Sequence, residues 1–163
     1  MEKVESSIVW LGNKISWLNL FLVLVTFFIV IFRYLFHMNW VWLQELVLYT
    51  HAMIFMTAAA FTLSVDQHVK VDIFYAYMPK GKQAMVRMFG VLVFLWPFCA
   101  VMFYNSWPYV KNSWSVFERS GDANGLPGVF LLKTLLLIYP FLLALQGLVI
   151  FYQSFKQIRG THG

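Results

Sequence analysis

Only a few side chains in this sequence could do chemistry. Glu45 and His51 lie inside one long apolar stretch, Val41 to Val65, and Arg33 lies near the end of the stretch before it. A carboxylate and an imidazole at membrane depth suggest a proton relay, or a haem or metal ligand for the imidazole. His68 and Asp72 follow in the pattern H-V-x-V-D. On a helix they stand at i and i+4 and can hydrogen-bond each other. Two ligands alone do not define a metal site. Glu118, Arg119, Ser120 and Asp122 form a last polar group between apolar runs.

Each has a plainer reading. A carboxylate at the centre of a membrane helix costs roughly 2.5–3.5 kcal/mol and usually finds a partner. Glu45 stands about one turn from the start of its stretch, where the cost is lower. One acidic group with no second titratable partner makes a poor relay. Arg33 and Glu45 flank Asn39 symmetrically, so an antiparallel hairpin would place them at similar depth. The expectation is a structural Arg33–Glu45 pair, or a pair with another subunit. A haem held by His51 needs a second histidine within a facing span; His37, His68 and His162 fall at span ends or in the tail. His51 is therefore expected to hydrogen-bond a neighbouring helix. His68 and Asp72 read as a polar cap on a span, and the charges near Glu118 as solvated or as a rim that steers a docking partner.

The elements that position these residues follow from composition. Of 163 residues, 61% are hydrophobic and 12% charged, about half the charged share of a soluble domain. Mean hydropathy is +0.69. This is the composition of an integral membrane protein. The net charge of +5 does not indicate nucleic acid, because the basic residues flank apolar runs rather than cluster on a soluble module. The single cysteine, Cys99, excludes an intrachain disulfide. Phosphate-binding loops, H-E-x-x-H and nucleophile elbows are missing from the sequence, so no enzyme is expected, and no cofactor or metal.

A span of ~20 apolar residues crosses the hydrocarbon core. The expectation is an all-α integral membrane domain over residues 1–163, with spans at about 15–36, 41–65, 84–107 and 129–151. Met1–Asn13 precedes the first span as a segment able to lie in the interface, and Trp40 and Trp42 fit an aromatic belt. Asp66–Lys82 suggests a short interfacial helix stopped by Pro79 and Gly81. Pro97 should disturb the third span, and Lys111–Gly128 reads as a loop. Eight lysines and arginines (Lys3, Lys14, Lys70, Lys80, Lys82, Arg87, Lys156, Arg159) lie on one side against four (Arg33, Lys111, Arg119, Lys133) on the other. Both termini are then cytoplasmic. Ala58, Ala59 and Ala60 let another helix approach closely. The spans hold too few polar groups to line a water-filled route.

These features, in order, resemble a family. Trp42-x-x-Glu45, the Ala58–Ala60 patch and His68-Val69-x-Val71-Asp72 ahead of Pro79 are similar to the small membrane subunit of TRAP (tripartite ATP-independent periplasmic) transporters. Glu118-x-Ser120, Gly125-Leu126-Pro127, Lys133 and Gln146-Gly147 resemble its mannitol/chloroaromatic/taurine-type branch. Gln44 departs from a carboxylate pair common in the family, and Asp66-Gln67 from the residues that usually precede the histidine.

The resemblance implies a non-catalytic subunit in the bacterial inner membrane. It would scaffold a large sodium- and substrate-binding elevator subunit that takes up an organic acid from a periplasmic substrate-binding protein. Its own contacts would be those proteins and membrane lipids. Trp42, Glu45, His68 and Asp72 would orient the second span and its cytoplasmic end against the partner; topology rather than motif adds Arg33 and Glu118 as interface positions, and the small-residue patch adds Ala59. The competing reading is a membrane anchor for a haem or quinone redox enzyme.

Overall fold

The structure, a computed structural model, describes residues 2–64 and 77–160. Helix α1 covers Glu2–Leu35 and α2 covers Val41–Ser64. Helix α3 (Lys80–Gly90) runs through a π turn at Val91–Leu95 into α4 (Trp96–Ser115), and α5 covers Val129–Gly160. Four of these segments are long and apolar enough to cross a membrane: Trp17–Leu35, Val41–Leu63, Lys80–Ser115 and Val129–Arg159. The expected spans are all present.

The boundaries differ where local chemistry differs. The amino-terminal segment is continuous with the span as the first part of α1; its lone Gly12 is too weak a breaker to stop a helix. Pro79 starts a helix, and Gly81, expected to stop one, lies inside it. The extended backbone of Pro79 (φ −61°, ψ 147°) caps α3, and its carbonyl accepts from the Lys82 and Gln83 amides at 2.9 and 3.1 Å. Proline suits this place because the first N–H groups of a helix lack partners in any case. The expected interfacial helix falls mostly outside the described residues, as do His68 and Asp72. Pro97 follows the π turn, whose wider hydrogen-bonding Trp96 closes onto the Val91 carbonyl. Such turns absorb a local disturbance without breaking the helix.

The hub of the bundle is α5. It packs against α4 most extensively, then α2 and α3, and touches α1 only lightly; α1 leans mainly on α2. The α5 face turned inward carries Pro140, Leu143, Gln146, Val149 and Ser154, all buried. Cys99 and Leu143 form a small core with Leu63, Leu95, Tyr139, Leu142 and Ala144 around it. Much of α1 stays exposed, including Trp17, Phe27 and Phe28.

Gly147 allows α5 to approach the π turn. A Cβ added there would lie 2.8 Å from Leu95 Cδ2 and 3.0 Å from the Trp96 indole nitrogen. Trp96 in turn packs against Phe151, with ring centroids 5.8 Å apart. Gly147→Ala should be tolerated by a shift of the Leu95 terminus. Gly147→Leu must displace the Trp96 ring and should cost about 1–3 kcal/mol, the usual penalty of overpacking. Thermal unfolding in detergent checks this, with the leucine variant well below the alanine variant.

Candidate functional site

The polar residues that the structure brings together lie at one end of the bundle, where α4 ends, α5 begins and α2 begins. The end of α4 builds the first part. Phe117 takes a left-handed backbone (φ 44°). The Phe117 amide donates to the Trp114 carbonyl at 3.3 Å and the Glu118 amide to the Ser113 carbonyl at 3.0 Å. This is a Schellman closure, with phenylalanine where glycine is usual. A bulky residue there costs of order 1–3 kcal/mol. Aromatic contacts offset it: Phe117 meets Phe130 edge-on at 5.7 Å, and Trp114 meets Phe130 at 4.7 Å. The Trp114 indole N–H also donates to Thr134 Oγ1 at 2.9 Å.

This turn directs Glu118 at α5. Lys133 Nζ reaches Glu118 Oε2 at 2.5 Å and lies 4.0 Å from the centre of the Tyr109 ring. The hydrogen bond from Lys133 holds the Glu118 carboxyl below its ordinary value.

Glu45 completes the arrangement from α2. Its Oε2 accepts from the Leu126 backbone N–H at 2.5 Å, and its Oε1 accepts from the Ser120 hydroxyl. Ser120 Oγ also accepts from the Asp122 amide at 3.2 Å. The Ser120 amide donates to the Leu126 carbonyl at 3.2 Å, so the two residues that hold Glu45 also hold each other. Asn124, at φ 64°, makes the tight turn between them; asparagine tolerates that conformation. Gly125 is required for lack of space: an added Cβ would lie 2.4 Å from Ser120 Oγ, 2.5 Å from Ser120 Cβ and 2.9 Å from Glu45 Oε1. A carboxylate that accepts two hydrogen bonds from a loop, one of them from backbone, is a clasp.

The expected Arg33–Glu45 pair is not formed. Arg33 is exposed on α1, and the ion pair among the described residues is Glu118–Lys133. Hydrogen bonds from the loop satisfy Glu45 without a counter-charge. Trp42 is exposed beside it, and Ala59 is half-buried deeper in α2. His51 is exposed on α2, turned away from the bundle interior. Ser120, Gly125 and Leu126 lie outside the candidate site residues expected from the sequence, yet they stand in the short motifs that carry the family resemblance, as does Lys133.

A model of the DctQ component of tripartite ATP-independent periplasmic transporters matches residues 22–157. The chain belongs to this family. It is the small membrane component of a TRAP transporter, and a multi-pass membrane protein. Neither the curated proteins nor the solved structures contain a match to it. The DctQ match takes in most of the first and last apolar segments, the whole of the two between them, and the whole clasp.

Two outcomes are expected of this site. Gly125→Ala should force Ser120 away from Glu45 and loosen the loop, seen as faster protease cleavage between residues 118 and 128 and a lowered melting temperature. Gly121→Ala, in open space, should leave both unchanged. The second concerns acid. Because Glu118 titrates below its ordinary value of 4.5, its link to Lys133 is fully present above that pH. The link is lost as pH falls through the depressed value. Lys133→Gln should move the Glu118 titration up toward the ordinary value, measurable by NMR of a labelled carboxyl.

Proposed function

We propose that this DctQ chain is a non-catalytic scaffold for the large, sodium-coupled elevator subunit of a TRAP transporter. The complex takes up an organic acid delivered by a periplasmic binding protein. The observation that carries this reading is the family match over residues 22–157. The whole chain acts as one membrane domain in the bacterial inner membrane. Its lysine and arginine distribution favours cytoplasmic termini, which turns the clasped loop toward the periplasm.

In that orientation the clasp has a use. A loop that must meet a soluble partner loses less entropy on docking when it is already ordered. Glu45 orders it from the membrane side, while Arg119 and Asp122 stay exposed on its surface and can steer the binding protein. Trp42 and Ala59 on α2, Arg33 on α1 and the exposed apolar face of α1 offer contact surface to the large subunit. His68 and Asp72 are assigned to the cytoplasmic end of that contact. The substrate branch, resembling the mannitol/chloroaromatic/taurine type, is chosen by the partner chains.

The test is to tag the chain at its carboxyl terminus, extract it mildly and identify what co-purifies by mass spectrometry. A stoichiometric multi-span protein, with a weakly held periplasmic protein, is expected. A chain that purifies alone, or with a coloured redox enzyme, contradicts the reading. Glu45→Ala should lower transport while the isolated binding protein still captures substrate.

A further inference from the structure

We propose that the opposite end of the bundle, formed by the start of α3 and the last turns of α5, binds anionic phospholipid headgroups. The antiparallel pairing of α4 and α5 brings these segments together. Trp96 at the start of α4 lies against Phe151, so the helix that precedes Trp96 runs beside the α5 turns that follow Phe151. Helix α3 packs on α5 accordingly, and Ala84 and Ser154, on the two helices, are both fully buried.

Four exposed cations lie on these segments: Lys80 and Lys82 on α3, Lys156 and Arg159 on α5. Among the described residues none of them forms an ion pair; Arg159 lies 5.7 Å from the Phe155 ring centre. The acids whose side chains are described, Glu45, Glu118 and Asp122, belong to the clasp end. By sequence this side carries Lys3, Lys14, Lys70, Lys80, Lys82, Arg87, Lys156 and Arg159 against Glu2, Glu5, Asp66 and Asp72, so its charge balance is positive.

The outer faces of the two helices favour a lipid over an acidic protein segment. On α3, Lys82 shares its face with Met85, Val86 and Phe89, all exposed. On α5, exposed Leu148, Tyr152 and Phe155 lead along the same face to Lys156 and Arg159. Both surfaces change from apolar to cationic within about one turn, toward the same end of the bundle. That profile fits the boundary between acyl chains and headgroups, where long cationic side chains reach toward phosphate. An acidic peptide would use the cations and leave the apolar ring beneath them uncovered.

The test uses the full chain with any membrane partner that extracts with it. Native mass spectrometry would follow retention of phosphatidylglycerol and of phosphatidylcholine with the same acyl chains. Phosphatidylglycerol should be retained preferentially, and less so at high salt. Combining Lys80→Gln, Lys82→Gln and Lys156→Gln should reduce the preference by roughly fivefold per cation. Lys111→Gln, at the clasp end, should leave it intact. Equal retention of the two lipids by the unaltered protein overturns the proposal without any variant. So does a triple variant that keeps the preference, or Lys111→Gln losing it as strongly. If the triple variant keeps its lipids but loses a bound protein, the surface belongs to an acidic partner and the lipid assignment fails.

Discussion

A half-buried carboxylate at the edge of a membrane must find donors, and for Glu45 none comes from its own helix. It takes them from Ser120 and Leu126, more than seventy residues away in sequence. That one requirement ties α2 to the connection between α4 and α5. The left-handed Phe117 directs the loop, Gly125 leaves the space, and Lys133 secures the side that Glu45 does not reach. A hydrogen bond to a charged acceptor contributes about 1.5–3 kcal/mol. Without it, the loop would keep its own backbone hydrogen bonds, the Glu118–Lys133 pair and the aromatic contacts near Phe130, but no tie to α2.

Away from that end, the bundle is held by shape. Lipid tails are as apolar as leucine, so helices in a bilayer associate through close fit rather than through hydrophobic burial. Gly147 illustrates this. It lets α5 settle against Leu95 and Trp96, beside the turn that accommodates Pro97. The hub role of α5 rests on such contacts, and the large exposed surface of α1 is the counterpart: a helix with little to hold within its own chain.

The sequence made the spans legible because the bilayer imposes a length on them, and all four lie where apolar runs of that length occur. It did not reveal which faces turn inward, because these helices are apolar on every side and carry no inward stripe. Glu45 stood out by its charge, but its partner was misread. Symmetry about Asn39 suggested Arg33, whereas the donors are a hydroxyl and a backbone amide, and an amide leaves no trace in composition. Phe117 at a helix end was equally hidden, since glycine is the usual sign of that conformation. Gly81 suggests a stop but sits inside a helix, because the extended Pro79 just before it already caps the first turn. The motif residues Ser120, Gly125, Leu126 and Lys133 were visible as a pattern, without the geometry that explains them.

Hydrogen exchange at the Leu126 amide is the most direct measurement of the clasp. It would compare the unaltered chain with Glu45→Ala, both in lipid nanodiscs. If Glu45 holds the loop, this amide is protected and exchanges about 10- to 100-fold faster in the variant, while amides in the middle of α5 keep their rates. Equal exchange at Leu126 in the two proteins would mean that the loop is ordered without the carboxylate, and the clasp would not be what joins α2 to it.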